Sequence, residues 1–204
     1  MARRGILVRV IEGRCREARA YLRYCFALLR PGMVVPVFEA PSETSPQIDT
    51  FDDAQLQVVL DEGRRQVDRQ RQDLERVQNR AATALTIGLA EIALLSNGGN
   101  TVLRAGWPYI MAWLLAVFCV FLGVAGASSL LTARPAVSSP TVTDLASYKG
   151  DSVLYAAAYS YEQSVGMGEV TLSARVTVLR DLALLLVLGG MIYAAIWPFV
   201  QAPS

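Results

Sequence analysis

The sequence predicts an all-α integral membrane protein, with three transmembrane helices and two cytoplasmic helices forming a stalk. Three observations lead there. Apolar residues make up 53% of the 204 positions, and the mean hydropathy is +0.34. The apolar residues gather in dense runs in the second half, while most of the charge lies in the first 81 residues. Two of those runs are free of charge and long enough to cross a bilayer, which takes roughly 20 apolar residues. That segregation marks a membrane chain with a polar part outside the bilayer.

The two clear spans are 108–132 (PYIMAWLLAVFCVFLGVAGASSLLT) and 181–200, whose apolar run LALLLVLGGMIYAAIWPFV starts at Leu182. A third span is expected at 81–97. It is shorter and carries Glu91. Arg80 can snorkel at its start, and Asn97-Gly98-Gly99-Asn100 reads as the turn of a helical hairpin.

Flanking charge sets the expected orientation, because cytoplasmic flanks are rich in Lys and Arg. The segment before Arg80 is arginine-rich, the loop from Asn97 to Trp107 holds only Arg104, and the region between the later spans holds Arg134, Lys149, Arg175 and Arg180. The N-terminus and the middle region are therefore placed in the cytoplasm and the C-terminus outside, in a bacterial plasma membrane. Interfacial aromatics agree. Trp107, Tyr109 and Trp113 open the second span, and Trp197 closes the third, so both groups fall on the outer side. Arg80 and Arg180 are the matching inner anchors, the latter beside Asp181.

Before the first span, residues 53–80 read as a coiled-coil-like cytoplasmic helix. Leu56, Leu60, Gly63, Val67, Gln70, Leu74, Val77 and Ala81 step by four and three, a heptad seam weakened at Gly63 and Gln70. The other faces mix acids and arginines, the usual pattern of a solvated face. Residues 151–180 repeat the spacing with Leu154, Ala158, Tyr161, Val165, Gly168, Leu172, Arg175 and Leu179. Packing the two seams together gives the stalk. Neither helix carries a turn signal before its span, so each is expected to run straight in. Residues 33–52 and 133–150 are Pro-rich or hydroxyl-rich linkers.

Residues 1–32 alternate apolar residues with arginines. Three readings stand: a basic amphipathic helix on anionic lipid, an extension without fixed structure, or an upstream stretch with translation starting at Met33. No signal peptide is read, because arginines interrupt the first 30 residues.

Catalysis is not expected. Histidine is absent, which removes the commonest general base and metal ligand. Cys15 and Cys25 lack a C-x-x-C spacing, and Cys119 sits in an apolar run as a packing residue. Gly166-Met167-Gly168 lacks the further glycine and preceding strand of a phosphate loop. Catalytic, metal and cofactor residues are accordingly none, and the net charge of +1 gives no sign of nucleic-acid binding.

Glu91 is the sharpest single signal. An acid in a span is costly, about 2.5–3.5 kcal/mol for Asp at mid-helix on insertion scales. It reads either as a pore-lining or gating group, or as a group near the outer interface of a short span. Gly123, Ala127 and the Gly189-Gly190 pair permit close helix approach, within one chain or between copies.

The layout also carries a resemblance. A charged helix (DRQRQDLERVQNRAATAL at 68–85) leads into a span opening Arg80-Ala81-Ala82. A short turn, a second span and a helical region entering a last apolar helix follow. From about Leu56 to Val200 this resembles the small bacterial membrane effectors of nucleotide-signalled anti-phage defence, the Pycsar transmembrane effectors and SLATT proteins. The resemblance implies a cytoplasmic part that senses a cyclic nucleotide or a protein partner, and spans that oligomerise and impair the membrane. The rival expectation is a non-conducting structural or accessory subunit, docking a partner through its coiled coil. A small transporter comes third, because three spans with one acid make a poor substrate pathway unless several chains assemble.

Overall fold

Asp52 and Gln55 fix where the first long helix begins. The Asp52 Oδ1 accepts from the Gln55 backbone N–H at 2.7 Å, and the Gln55 Oε1 accepts from the Asp52 N–H at 3.1 Å. This reciprocal pair is a capping box. Phe51 packs on the cluster of Leu56 and Ala158, so an apolar residue before the cap staples to the first turn. From there helix α1 runs unbroken over Asp53–Ala105. In the computed structural model, residues 18–19, 21–23, 25, 51–133 and 153–201 are described. Helix α2 spans Trp107–Thr132 and helix α3 spans Val153–Gln201. The described residues contain no strand.

One expectation is overturned here. Asn97-Gly98-Gly99-Asn100 is helical and no turn forms there. The chain reverses at Gly106, whose φ of 112° suits only glycine. Pro108 then sits in the first turn of α2, where its missing N–H costs nothing. Helix α1 thus continues past residue 97 to Ala105. As the missing turn signals led one to expect, each polar helical stretch runs without a break into the apolar stretch that follows it, within the single elements α1 and α3. The linkers at 33–50 and 134–150, with Cys15 and Lys149, lie outside the described residues, as does most of segment 1–32.

The chain divides into two compact units. The first comprises Met1–Pro36, Gln78–Ala133 and Thr177–Ser204; the second comprises Val37–Val77 and Arg134–Val176. In the second unit, Leu56, Leu60, Gly63, Val67, Gln70, Leu74 and Val77 are all buried along α1. Of the expected seam on α3, Ala158, Gly168 and Arg175 are buried. Leu154, Tyr161, Val165 and Leu172 are half-buried, whereas Ala157, Ala158, Ser164, Gly168 and Thr171 are buried. Small residues hold the close contact and the larger apolar ones flank it. A Cβ at Gly63 would come 2.9 Å from the Tyr161 Cβ. The Gln70 amide lies against Gly168 and donates to the Val165 carbonyl at 2.9 Å. The outer faces carry ion pairs one turn apart, of which Arg76–Asp73 is the tightest at 2.8 Å.

In the first unit α1, α2 and α3 meet through glycines. Gly88 lies against Val124 and Leu186, Gly123 against Leu186 and the Leu182 carbonyl, and Gly189 against Val120 and the Ala116 carbonyl. Small residues let backbones approach without large ridges. The faces turned away are apolar: Ile87, Leu89, Leu94, Phe118, Phe121, Leu184 and Val187 are exposed. At most 33% of the best apolar window of any of the three helices is buried. All three helices are long and apolar enough to cross a membrane. Hydroxyls in the apolar stretches, including those of Thr83, Thr86, Ser96 and Ser129, bond to carbonyls of their own helix, which keeps them satisfied without water.

Candidate functional site: a carboxyl among packed glycines

Glu91 sits on α1 in the first unit. The heptad spacing of the buried positions continues past Ala81 through Gly88, Leu95 and Val102, and Glu91 falls on its flank beside half-buried Ile92. Across from it is Gly190 of α3, where an added Cβ would stand 3.0 Å from the Glu91 Oε1. The glycine therefore opens the space that the carboxyl fills. Glu91 Oε2 is shut off from solvent and has no hydrogen-bond partner among the described residues. Glu91 lies fourteen positions before Ala105, about 21 Å at 1.5 Å per residue. The helix thus continues well beyond the acid, through Asn97, Asn100 and Arg104.

Beyond Glu91, toward Ala105, lies a layer built on the misread glycines. The Tyr193 and Trp197 rings close on Gly98, with their centroids 5.3 Å apart. Trp113 lies against Gly99 and donates its indole N–H to the Leu95 carbonyl at 3.1 Å. The Tyr193 hydroxyl donates to the Leu94 carbonyl at 3.3 Å. Glycine removes the side chains that would hold these rings off, and the rings' polar tips find carbonyls. Trp113 and Trp197 were expected as lipid-interface anchors; the structure places them half-buried in helix contacts. Trp107 is 71% exposed, Tyr109 is half-buried and Arg80 is exposed. Arg180 is also exposed, 3.1 Å from the neighbouring Asp181. Leu179 is half-buried, and Gly123, Ala127 and Gly189 are buried.

A second feature had no sequence signal beyond a tyrosine among arginines. The described residues within 18–25 are helical, and Tyr21 is buried at 5% exposure. Its hydroxyl donates to the Leu122 carbonyl of α2 at 2.7 Å, and its ring occupies the notch left by Gly126. Burial pushes the phenol above its usual range, with Cys25 and Asp181 adding to the shift. The same burial raises the Cys25 thiol.

No group of three or more His, Cys, Asp or Glu among the described residues could hold a metal. The arrangement offers one carboxyl in an apolar helix contact, able to bind or release a proton or to face a polar path. No known protein family, curated protein or solved structure matches the chain.

Proposed function

We propose that this chain is a multi-pass protein of a bacterial plasma membrane that perturbs the bilayer when its cytoplasmic helices receive a nucleotide or protein signal. The three apolar stretches span, the N-terminus and the helices of the second unit are cytoplasmic, and the C-terminus is outside. Glu91 is the observation that carries the reading. A carboxyl with one shielded, unpartnered oxygen inside an apolar helix contact is expensive, and such groups mark ion or proton paths. The large apolar outer faces of the first unit suit lipid and further copies of the chain, so the active form is a homo-oligomer in which Glu91 lines or gates the path. Helices α1 and α3 each contribute to both units, which gives a signal at one a covalent route to the other.

The test is inducible expression in bacteria with a potential-sensitive dye. The proposal expects depolarisation once the signal is supplied or at high expression, and loss of that response in Glu91→Gln with protein still in the membrane. An intact potential at every expression level, with cyclic nucleotides supplied, would sink it. The accessory-subunit reading has its own support in apolar residues exposed on the second unit, Val58 and Val153 among them. It expects no depolarisation and a partner recovered on those helices.

A further inference from the structure

The second unit contains a concavity of about 330 Å³ between its two helices, lined by Val58, Val59, Glu62, Gln66, Glu162 and Val165. Its floor is apolar, its polar groups include two carboxyls, and among the described residues no basic side chain lines it. The Glu62 carboxyl is engaged: Gln66 Nε2 donates to its Oε1 at 3.3 Å, and Arg65 stands 4.0 Å from its Oε2. The Glu162 Oε2 differs. It is shielded from solvent and has no hydrogen-bond partner among the described residues. Arg64, on the same helix as Glu62, is engaged elsewhere: it lies over the Tyr161 ring at 5.9 Å and 4.0 Å from Asp61.

From this arrangement we infer that the concavity receives a basic side chain from an amphipathic segment of a cytoplasmic protein partner. The inference rests on the reading that the second unit takes the signal, and it names the signal's chemistry. A shielded carboxylate without a cation is unfavourable, and a guanidinium or ammonium supplies the missing charge and donors. The aliphatic stem of Arg or Lys would lie on Val58, Val59 and Val165 while its head reaches Glu162. The site is open on one side and sits at the small end of ligand pockets, roughly 300–1,000 Å³. It suits one anchor residue of a docked segment better than an enclosed small molecule. A nucleotide phosphate fits poorly. Both carboxyls repel it, and the lining residues lie within helices, whose N–H groups are already bonded, not at a helix N-terminus.

The test uses the full chain in phosphatidylcholine nanodiscs. The probe is a fluorescein-labelled amphipathic peptide of leucine, alanine and arginine, with a glutamate-for-arginine counterpart, read by anisotropy. The arginine peptide should bind, and neither the counterpart nor labelled cyclic AMP or cyclic UMP should. Glu162→Gln should weaken binding roughly tenfold, the scale of one charge-assisted contact. Val58 is 68% exposed, so Val58→Lys leaves the fold intact and should weaken binding similarly by adding a cation at the rim. Glu169→Gln, an exposed acid on the same helix, should change nothing. Failure of the arginine peptide to bind, equal binding by both peptides, or wild-type affinity in Glu162→Gln and Val58→Lys would each overturn the inference. So would cyclic-nucleotide binding that Glu162→Gln alters. Membrane potential plays no part in this readout, so the effector proposal can fail while the site stands, and the reverse.

Discussion

Along α1 the same four-and-three spacing buries residues in both units, but the residues facing away change character at Arg80. Before it, the outer faces hold Asp61, Arg64, Asp68 and Arg71 in ion pairs. After it they hold Ile87, Leu89, Leu94 and Leu103, all at least half exposed. The buried side changes as well. The second unit buries Leu56, Leu60, Val67 and Leu74, with Gln70 among them. The first mixes glycines with larger residues along α1, burying Ala81, Gly88, Leu95, Gly98, Gly99 and Val102, and it packs them against α2 and α3, where Gly123 and Gly189 are buried too. In water, burying large apolar side chains drives helix pairing. In lipid that drive is absent, and close backbone packing replaces it. On the proposed reading, one continuous helix meets two solvents.

The contrast can be broken most severely in the glycine-packed unit. Gly189→Leu would drive a side chain into Val120 and the Ala116 carbonyl, which lies 3.1 Å from the position of an added Cβ. Overpacking of this kind costs about 3 kcal/mol. A marked fall in the thermal midpoint in detergent is expected, and an unchanged midpoint would contradict backbone-close packing there.

A smaller change is expected at Tyr21. Tyr21→Phe removes the bond to the Leu122 carbonyl, worth about 1 kcal/mol, and should loosen residues 18–25 in hydrogen exchange. The phenol also predicts a pH dependence. Its folded pKa lies above the unfolded value, so its contribution is complete below about pH 10 and declines as pH rises past that value. Tyr21→Phe should lack this alkaline loss, and the same loss in both proteins would rule Tyr21 out as its source.

In the second unit, Gln70→Met tests the core between α1 and α3. The Gln70 Oε1 is buried without a hydrogen-bond partner among the described residues. Exchanging the amide for a thioether of similar size should slow exchange of nearby amides, a gain of up to about 1 kcal/mol. Faster exchange would mean that the bond to Val165 outweighs the orphaned oxygen. The smallest effect belongs to Arg76→Ala. The pair with Asp73 is short but exposed, and such pairs contribute under about 1 kcal/mol. A large loss in the same exchange experiment would show that the charged face does more than contact water.

Much of this architecture was legible locally. The seam from Leu56 to Ala81 follows from spacing alone, because one helix face must be buried whatever it meets. The glycines at 98 and 99 were misread for a definable reason. Gly-Gly between asparagines is a turn signal in isolation, and only the rings of Tyr193, Trp197 and Trp113, up to 99 positions away, turn it into a packing surface. The burial of Ala157, Ser164 and Thr171 on α3 was less legible, since hydropathy ranks these small residues below the leucines that flank them. Glu91 was visible as an acid in an apolar run, but its glycine partner, Gly190, was not. The Tyr21 contact with Leu122 spans 101 positions and has no local signature at all.

The central claim is that the change at Arg80 marks a change from water to lipid. Substituted-cysteine labelling tests it most directly, with Cys15, Cys25 and Cys119 replaced by alanine and single cysteines placed at Val58 and Trp107, both exposed. In intact bacteria an impermeant maleimide should label the cysteine at 107 and leave that at 58 untouched until the membrane is permeabilised. Labelling of both in intact cells, or of 58 alone, would contradict the account, because no bilayer would then separate the charged stretch of α1 from the Gly106 turn in the proposed sense.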